Sequence, residues 1–399
     1  MISTFGDVFE VDPKIKIAKN SDVPFVEMAD IEPWARTVGS KGTKKFAAGS
    51  KFLDGDVLVA RITPSLENGK TSIYRASQSE KATPASGSTE FIVVRGIEGK
   101  SLSEFAYYLL RTTDLRSHLI ANMNGSSGRQ RVQSDALRNY VVDLPSLEEQ
   151  RRIAGVLGAL DDKIESNLRT ISLSESLILA HFSQLFNSGH VSAGTALSDL
   201  MEVNPRYSLK RESLAIKVSM QDIPSDSPVI NTHSVMPVGA GSRFSNGDVL
   251  FARISPCLEN GKTAVVDFLS GSEVGFGSTE FIILSPRGEI STTWIYALAR
   301  EPNFREACRQ AMSGSSGRQR LSADFFSRYT IATPKEFDLI AFNKATMPLL
   351  TLMGARRDEN QRLAQLRDAL LPELMSGRMR VDEAGRLVSE ALDEEVADV

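Results

Sequence analysis

Two kinds of apolar pattern alternate along this chain. Short runs such as Asp56-Val-Leu-Val-Ala-Arg-Ile62 and Glu90-Phe-Ile-Val-Val94 predict strands. Ser101 to Met123, with Phe105, Leu109, Leu115 and Leu119, predicts an amphipathic helix, and Thr292 to Met312 predicts its counterpart. A longer pattern follows Pro145: Ser146-Leu-Glu-Glu149 fits a capping box. From there Ile153, Leu157, Leu160, Ile164, Asn167, Ile171, Ser174, Ile178, His181 and Leu185 alternate spacings of four and three, which is a heptad seam. A helix from Leu147 to Phe186 would be ~60 Å long at ~1.5 Å per residue, longer than a core helix needs. Asn167, Ser174 and His181 are polar seam positions of the kind that fix register; His181 is read as a partly exposed helical histidine. A second start, Thr333-Pro-Lys-Glu336, opens a weaker pattern through Leu349, Leu352, Leu363, Leu366 and Leu370. Arg356 and Glu359 interrupt it, and Pro348 and Pro372 are expected to bound or kink it.

The strand-and-helix stretch occurs twice. Gly55 to Thr71, containing Ala-Arg-Ile-Thr-Pro-Ser-Leu-Glu-Asn-Gly-Lys-Thr, recurs as Gly247 to Thr263 with only Val59/Phe251, Thr63/Ser255 and Ser65/Cys257 changed. Gly87-Ser-Thr-Glu-Phe-Ile92 returns at Gly277 to Ile282, and Gly125-Ser-Ser-Gly-Arg-Gln-Arg131 returns at Gly314 to Arg320. Asp7 to Pro13 has a looser echo in Asp199 to Pro205. A long period and a count of two predict a duplicated domain, not a solenoid. The fold class expected is α+β: two mixed strand-and-helix domains separated by long helices. The boundaries are 1–145 for the first domain, 146–189 for the central helix, 190–333 for the second domain, 334–378 for the distal helix and 379–399 for an acidic C-terminal tail.

Composition narrows the class. Hydrophobic residues at 41% and charged residues at 24% are ordinary for a soluble globular protein, and 399 residues favour more than one domain. No stretch offers eighteen consecutive apolar residues, and Met1 to Asp7 lacks the basic start and apolar run of a secretory signal, so a cytoplasmic location is expected. Cys257 and Cys308 have no CxxC partner or nearby histidine pair, which argues against a metal site or disulfide. The formal charge of −4 conceals an acidic end: from Val381 onward the chain carries −6, leaving +2 elsewhere. Local patches govern association with polyanions more than the total does.

Glu-Asn-Gly-Lys-Thr at 67–71 and 259–263 contains the end of a phosphate-binding loop, but Pro64 and Pro256 stand where that loop needs glycine. Strand-like residues follow it, so nucleotide binding is rejected in favour of a turn with Gly69 or Gly261 at positive φ, leaving Lys70 and Lys262 free to meet phosphate. The Gly-Ser-Ser-Gly-Arg-Gln-Arg block is the most informative stretch. Glycines permit close backbone approach, and arginine and glutamine donors match phosphate oxygens or base edges. The nucleic-acid contact set expected is Arg61, Lys70, Ser126, Ser127, Arg129, Gln130 and Arg131 in the first copy, with Arg253, Lys262, Ser315, Ser316, Arg318, Gln319 and Arg320 in the second. Identical loops cannot read different bases, so sequence choice should lie where the copies differ. Arg36 to Lys51 stands against Pro228 to Arg243, with Lys41, Lys44, Lys45, Asn231, Thr232 and His233 as base-reading candidates; Tyr74-Arg75 against Val266-Asp267 is another such pair. No hydrolase elbow, zinc-protease helix or Asn-Pro-Pro-aromatic methyltransferase motif occurs, and Asn204-Pro205-Arg206-Tyr207 departs from the last at its third position. No catalytic residue and no metal ligand is therefore assigned.

These blocks, with Pro145-Ser-Leu-Glu-Glu-Gln-Arg-Arg-Ile-Ala154, Leu160-Asp-Asp-Lys-Ile164 and Leu371-Pro-Glu-Leu-Met-Ser-Gly377, resemble specificity subunits of type I restriction–modification systems over nearly the whole chain. The resemblance implies two target-recognition domains, each reading half of a split double-stranded DNA site, with the long helices packed as an antiparallel coiled-coil ruler. It also implies two docked methyltransferase subunits that use S-adenosylmethionine, and outer restriction subunits that use ATP and Mg, with no cofactor bound by this chain. The rival readings are a self-contained nuclease or DNA methyltransferase, and a protein-only assembly scaffold.

Overall fold

The computed structural model describes residues 1–126, 128–186, 189–315 and 317–393. Two compact units divide it: Met1–Lys163 with Leu363–Val399, and Ile164–Arg362. Each unit combines one copy of the repeat with part of each long helix.

In the first unit a five-stranded sheet runs in the order Phe9–Val11, Phe91–Gly96, Val57–Ala60, Thr71–Tyr74 and Thr37–Val38. Phe91 pairs with Ala60 and Val59 with Thr71 in antiparallel register, while Thr37–Val38 joins in parallel. A second sheet orders Thr43–Lys45, Asp22–Val26, Ala85–Gly87 and Ser50–Phe52. Leu58, Tyr74, Phe91 and Val93 meet Val26 and Phe52 in one core cluster. Helix Ser103–Arg111 packs on the five-stranded sheet. The repeated strand is accordingly buried at all four positions. Cover on both faces explains why its sequence is a continuous apolar run with little alternation.

The second unit repeats this plan. One sheet orders Glu202–Val203, Phe281–Ser285, Val249–Ala252 and Thr263–Val265; the other orders Ser234–Pro237, Leu214–Val218, Val274–Gly277 and Arg243–Ser245. Leu250 and Ile283 point into a cluster with Val218 and Phe244. Val249, Phe251 and Ile282 belong to a larger cluster with Trp294, Ile178, Phe182, Phe342 and Met353. Helix Thr292–Arg300 and both long helices therefore share one core with that sheet, so the domain cannot shift on the helices without breaking aromatic packing.

The helix expected from Ser101 to Met123 is two helices, Ser103–Arg111 and Thr113–Ala121, broken at Thr112, whose backbone is extended and whose hydroxyl donates to Leu109 O. Its counterpart breaks likewise, into Thr292–Arg300 and Pro302–Gln310. Pro302 excludes Glu301 from helical geometry, and the Glu301 carboxylate accepts from Phe304 N as a cap. The apolar period continues across both breaks, which is why the sequence reads as one helix.

The central helix spans Leu147–Leu185, and Ser146 Oγ accepts from Glu149 N at 3.2 Å as half of the expected box. The distal helix spans Glu336–Met375 and passes through both Pro348 and Pro372, so neither proline bounds it. Within the second unit, Asn167 lies against Glu359 and Asn360, and Phe182 against Phe342, so the two helices run antiparallel there. Glu359 does not interrupt the packing as its sequence position suggests. It is 2% exposed and accepts from Asn167 Nδ2 and Arg356 Nη1, a polar layer that fits only one register. His181 is half-buried, while Phe182 beside it is buried.

The expected acidic tail also differs: Val381–Asp393 is a helix, with Val381, Ala384 and Val388 buried and Arg152 paired with Asp382. Residues 394–399 of that expected tail lie outside the described residues.

Candidate nucleic-acid interface

The glycine–arginine block forms a projecting hairpin end in each unit. Met123–Asn124 pairs with Arg131–Val132, and Ser126 O accepts from Arg129 N at 3.0 Å to close the turn. In the second copy Ser313 bridges Arg320, and Ser315 O accepts from Arg318 N at 3.0 Å. Gly125 and Gly128 have φ of 131° and 79°; Gly314 and Gly317 have 123° and 77°. Only glycine takes these angles without strain, which accounts for the unchanged spacing in both copies. Ser127 and Ser316, expected contacts, lie outside the described residues.

The two arginines of each block divide into distinct roles. Arg131 grips Glu90 through the Nε and Nη2 edge of its guanidinium, at 2.9, 2.9 and 2.7 Å, and Arg320 grips Glu280 with the same distances. These are forked, charge-assisted bonds. The Arg320 bond draws Glu280 below the usual carboxylate range. Arg131 and Arg320, both among the expected contacts, thus also hold the loop to the sheet. Arg129 and Arg318 are exposed, and among the described residues neither guanidinium has a partner. Ser126 and Ser315 are exposed beside them, while Gln130 and Gln319 are half-buried, their carbonyls accepting from Thr63 N and Ser255 N. The clamping acids were missed in the sequence, although the repeated Gly-Ser-Thr-Glu block carried them.

Arg61 braces the same hairpin, its Nε donating to Val132 O at 3.0 Å and its Nη2 to Gln133 at 2.9 Å. Arg253 holds the equivalent place through its backbone, Leu321 N donating to Arg253 O at 2.8 Å. Lys70 and Lys262 are not free as expected: both are half-buried and donate to main-chain carbonyls, of Met28 at 2.9 Å and Met220 at 2.8 Å. The turn before them does have Gly69 and Gly261 at φ of 76° and 75°. Arg116 donates to Glu67 O, and Arg305 to Glu259 O, so arginines of the packed helices close that turn's carbonyls. A Cβ at Gly69 would sit 2.6 Å from the Trp34 ring. The Glu-Asn-Gly-Lys repeat is therefore an internal fastening.

The divergent segments occupy matching edge strands. In the first unit Thr43–Lys45 is exposed throughout; Lys41 reaches Asp30 at 3.2 Å, Lys44 pairs with Glu27 over the Phe25 ring, and Lys45 is solvated. In the second unit Ser234–Pro237 is equally exposed. Asn231 O accepts from Gln361, Thr232 donates to Asp222 at 3.1 Å, and His233 stacks on Phe268 at 4.8 Å. Of the second divergent pair, Arg75 meets Glu104 and Asp267 meets Arg357, so both acidic and basic members are occupied inside the protein.

Each copy is fastened to the central helix by one buried carboxylate. Asp161 accepts from Tyr108 at 2.7 Å and Arg367 at 2.7 Å in the first unit. Glu175 accepts from Tyr296 at 2.5 Å in the second and lies 3.3 Å from Arg300. Burial raises the Glu175 carboxyl above its ordinary range, with Tyr296 and Arg300 opposing that rise. Among the described residues no group of three His, Cys, Asp or Glu side chains could hold a metal ion, and Cys257 and Cys308 are free thiols. No helix among them is long and apolar enough to cross a membrane.

Comparisons with known proteins give the same picture. Residues 1–172 match the type I restriction modification DNA specificity domain. The type I restriction enzyme EcoEI specificity subunit of Escherichia coli is 27% identical over 184 residues, covering 44% of this chain and 30% of that protein's own length. The MjaIX specificity subunit of Methanocaldococcus jannaschii is 22% identical, covering 93% of this chain and 90% of that protein. The crystal structure of a type I restriction-modification S subunit from M. genitalium superposes with a TM-score of 0.52 at 14% identity, covering 94% and 95% of the two chains. Residues 1–172 thus carry the type I restriction modification DNA specificity domain, and the chain shares its fold with that S subunit.

Proposed function

We propose that this chain is the non-catalytic DNA-specificity subunit of a type I restriction–modification enzyme. Each repeat grips one part of a bipartite double-stranded site, and the long helices set the gap between the two parts. The observation that carries this reading is the pair of identical hairpin ends, each clamped to its sheet by one arginine and presenting a second arginine to solvent. Identical donors on two modules suit the sequence-independent part of DNA binding, and the divergent edge strands suit base choice.

The helices supply the surface for partners. Leu168, Leu173 and Leu177 of the central helix are exposed, as are Ile340 and Met347 of the distal helix, and Phe337 is 80% exposed. Large apolar side chains left in solvent on a helix pair suit docking of further subunits. Two methyltransferase subunits are the proposed occupants, with restriction subunits joining outside them. S-adenosylmethionine, ATP and magnesium then belong to those partners, this chain binds no cofactor, and its location is cytoplasmic.

The full chain mixed with duplex DNA is expected to bind in a salt-dependent manner while leaving the DNA uncut and unmethylated when magnesium or S-adenosylmethionine is added. Cleavage or methylation by the chain alone would replace this reading with a self-contained enzyme. Absence of DNA binding, alone and beside the co-expressed methyltransferase, would replace it with a scaffold.

A further inference from the structure

Each unit contains a second basic feature, separate from the hairpin tip, whose members are scattered along the sequence. A cleft of about 460 Å3 in the first unit is lined by Lys14, Lys51 and Arg61. A cleft of about 480 Å3 in the second is lined by Arg206, Arg243 and Arg253, which hold the equivalent places in the repeat. Two of the three basic positions exchange lysine for arginine between copies, and the neighbouring Ile15 becomes Tyr207. Side-chain identity has drifted there while positive charge has been kept in both.

The walls are built the same way twice. Gly49 and Gly241 have φ of 142° and 154°, and a Cβ on either would fall 2.2 or 1.9 Å from the carbonyl of Gly87 or Gly277. Ser50 Oγ donates to Phe91 O at 2.8 Å, and Ser242 Oγ to Phe281 O at 2.9 Å. Little inside the protein neutralises the cations. Asp12 of the first cleft is occupied by Val93 N and the Ser134 hydroxyl, and its counterpart in the second is the neutral Asn204. Lys14 and Arg206 are exposed without a partner among the described residues, and Arg253 Nε is buried with no acceptor among them. Arg243 gives one donor to Tyr207 O, and Lys51 lies over the Phe46 ring at 5.1 Å.

We infer that these paired clefts are phosphate seats for the DNA backbone, Lys14, Lys51 and Arg61 in one copy and Arg206, Arg243 and Arg253 in the other. Three cations around an open groove, joined in the second copy by the unsatisfied Arg253 Nε, suit a phosphodiester, which shares its negative charge over two oxygens and needs no base identity. Arg61 also braces the hairpin, so the seat and the exposed Arg129 belong to one rigid surface. The inference rests on the DNA-binding reading and adds a second DNA-facing region to each module.

The test uses the full chain with a duplex oligonucleotide of random sequence across a salt series. Lys14→Ala with Lys51→Ala, and separately Arg206→Ala with Arg243→Ala, should each lower the log–log salt slope by about 0.9 for every phosphate the variant no longer neutralises. Lys14→Arg with Lys51→Arg should restore the parent slope, because the second copy already uses arginine. Parent-like slopes in both alanine variants, with parent-like circular dichroism, would overturn the phosphate seats while leaving the DNA reading intact. A parent chain that binds no duplex would overturn both. Loss of methyltransferase assembly at unchanged DNA slope would also overturn the inference, assigning the clefts to acidic protein.

Discussion

Arg129 and Arg131 stand two residues apart in an unbroken repeat, yet only Arg131 is paired with an acid. Replacing Arg129 and Arg318 together by alanine should weaken duplex binding and reduce the salt slope by about two, because roughly 0.9 counterion is released per neutralised phosphate. The melting temperature should stay at the parent value. Arg131→Ala with Arg320→Ala should instead lower the melting temperature, since each removal strips a carboxylate of its fork. Calorimetry beside a salt titration separates the pairs. The acid partner gives a pH signature. Arg320 holds Glu280 below the usual carboxylate range, so the pair's contribution is fully present above that range and is lost as pH falls through the lowered value. The stability difference between parent and Glu280→Gln should stay constant at neutral and mildly acidic pH and close only in stronger acid; a difference that grew on acidification would contradict the clamp. The sequence located these residues, but it could not apportion donors, because sharing an arginine between protein and ligand depends on which acid the sheet brings alongside.

At the scale of elements, the heptad seam and the duplicated strands are legible because burial is periodic. The breaks at Thr112 and Glu301 are hidden, since the apolar stripe continues through them. Glu359 reads as a flaw in the distal helix when taken singly, and its reason appears only when Asn167 is found against it. Pro348 and Pro372 are carried inside a helix whose Leu350, Met353, Leu370 and Leu374 are buried, so tertiary packing outweighs the local cost. Asp161, within the Leu160-Asp-Asp-Lys-Ile164 motif, anchors Tyr108 and Arg367. Its replacement by alanine should cost about 3–5 kcal/mol, the usual penalty for orphaning a buried charge. Asp161→Asn, which keeps an acceptor oxygen, should cost less, and chemical denaturation of the two variants measures the difference. Equal losses would mean that the site responds to shape alone.

For the whole molecule, duplication is the most informative sequence property, because it predicts two sites of equal chemistry with different preferences. The acidic end was misleading in total charge: part of it is a packed helix from Val381 to Asp393, and the basic side chains collect in two clefts that lie far apart in sequence order. If the helices set the gap, inserting four residues between Ile164 and Ile178 lengthens one helix by ~6 Å, comparable to roughly two base pairs. The preferred gap should then change in binding assays on duplexes of graded spacing, and an unchanged preference would refute the ruler. The most direct measurement is selection from a randomised duplex pool by the full chain together with the proposed methyltransferase subunit, co-expressed. Two short defined tracts separated by a fixed length of unspecified sequence is the predicted result; a single uninterrupted motif, or no enrichment, would contradict it.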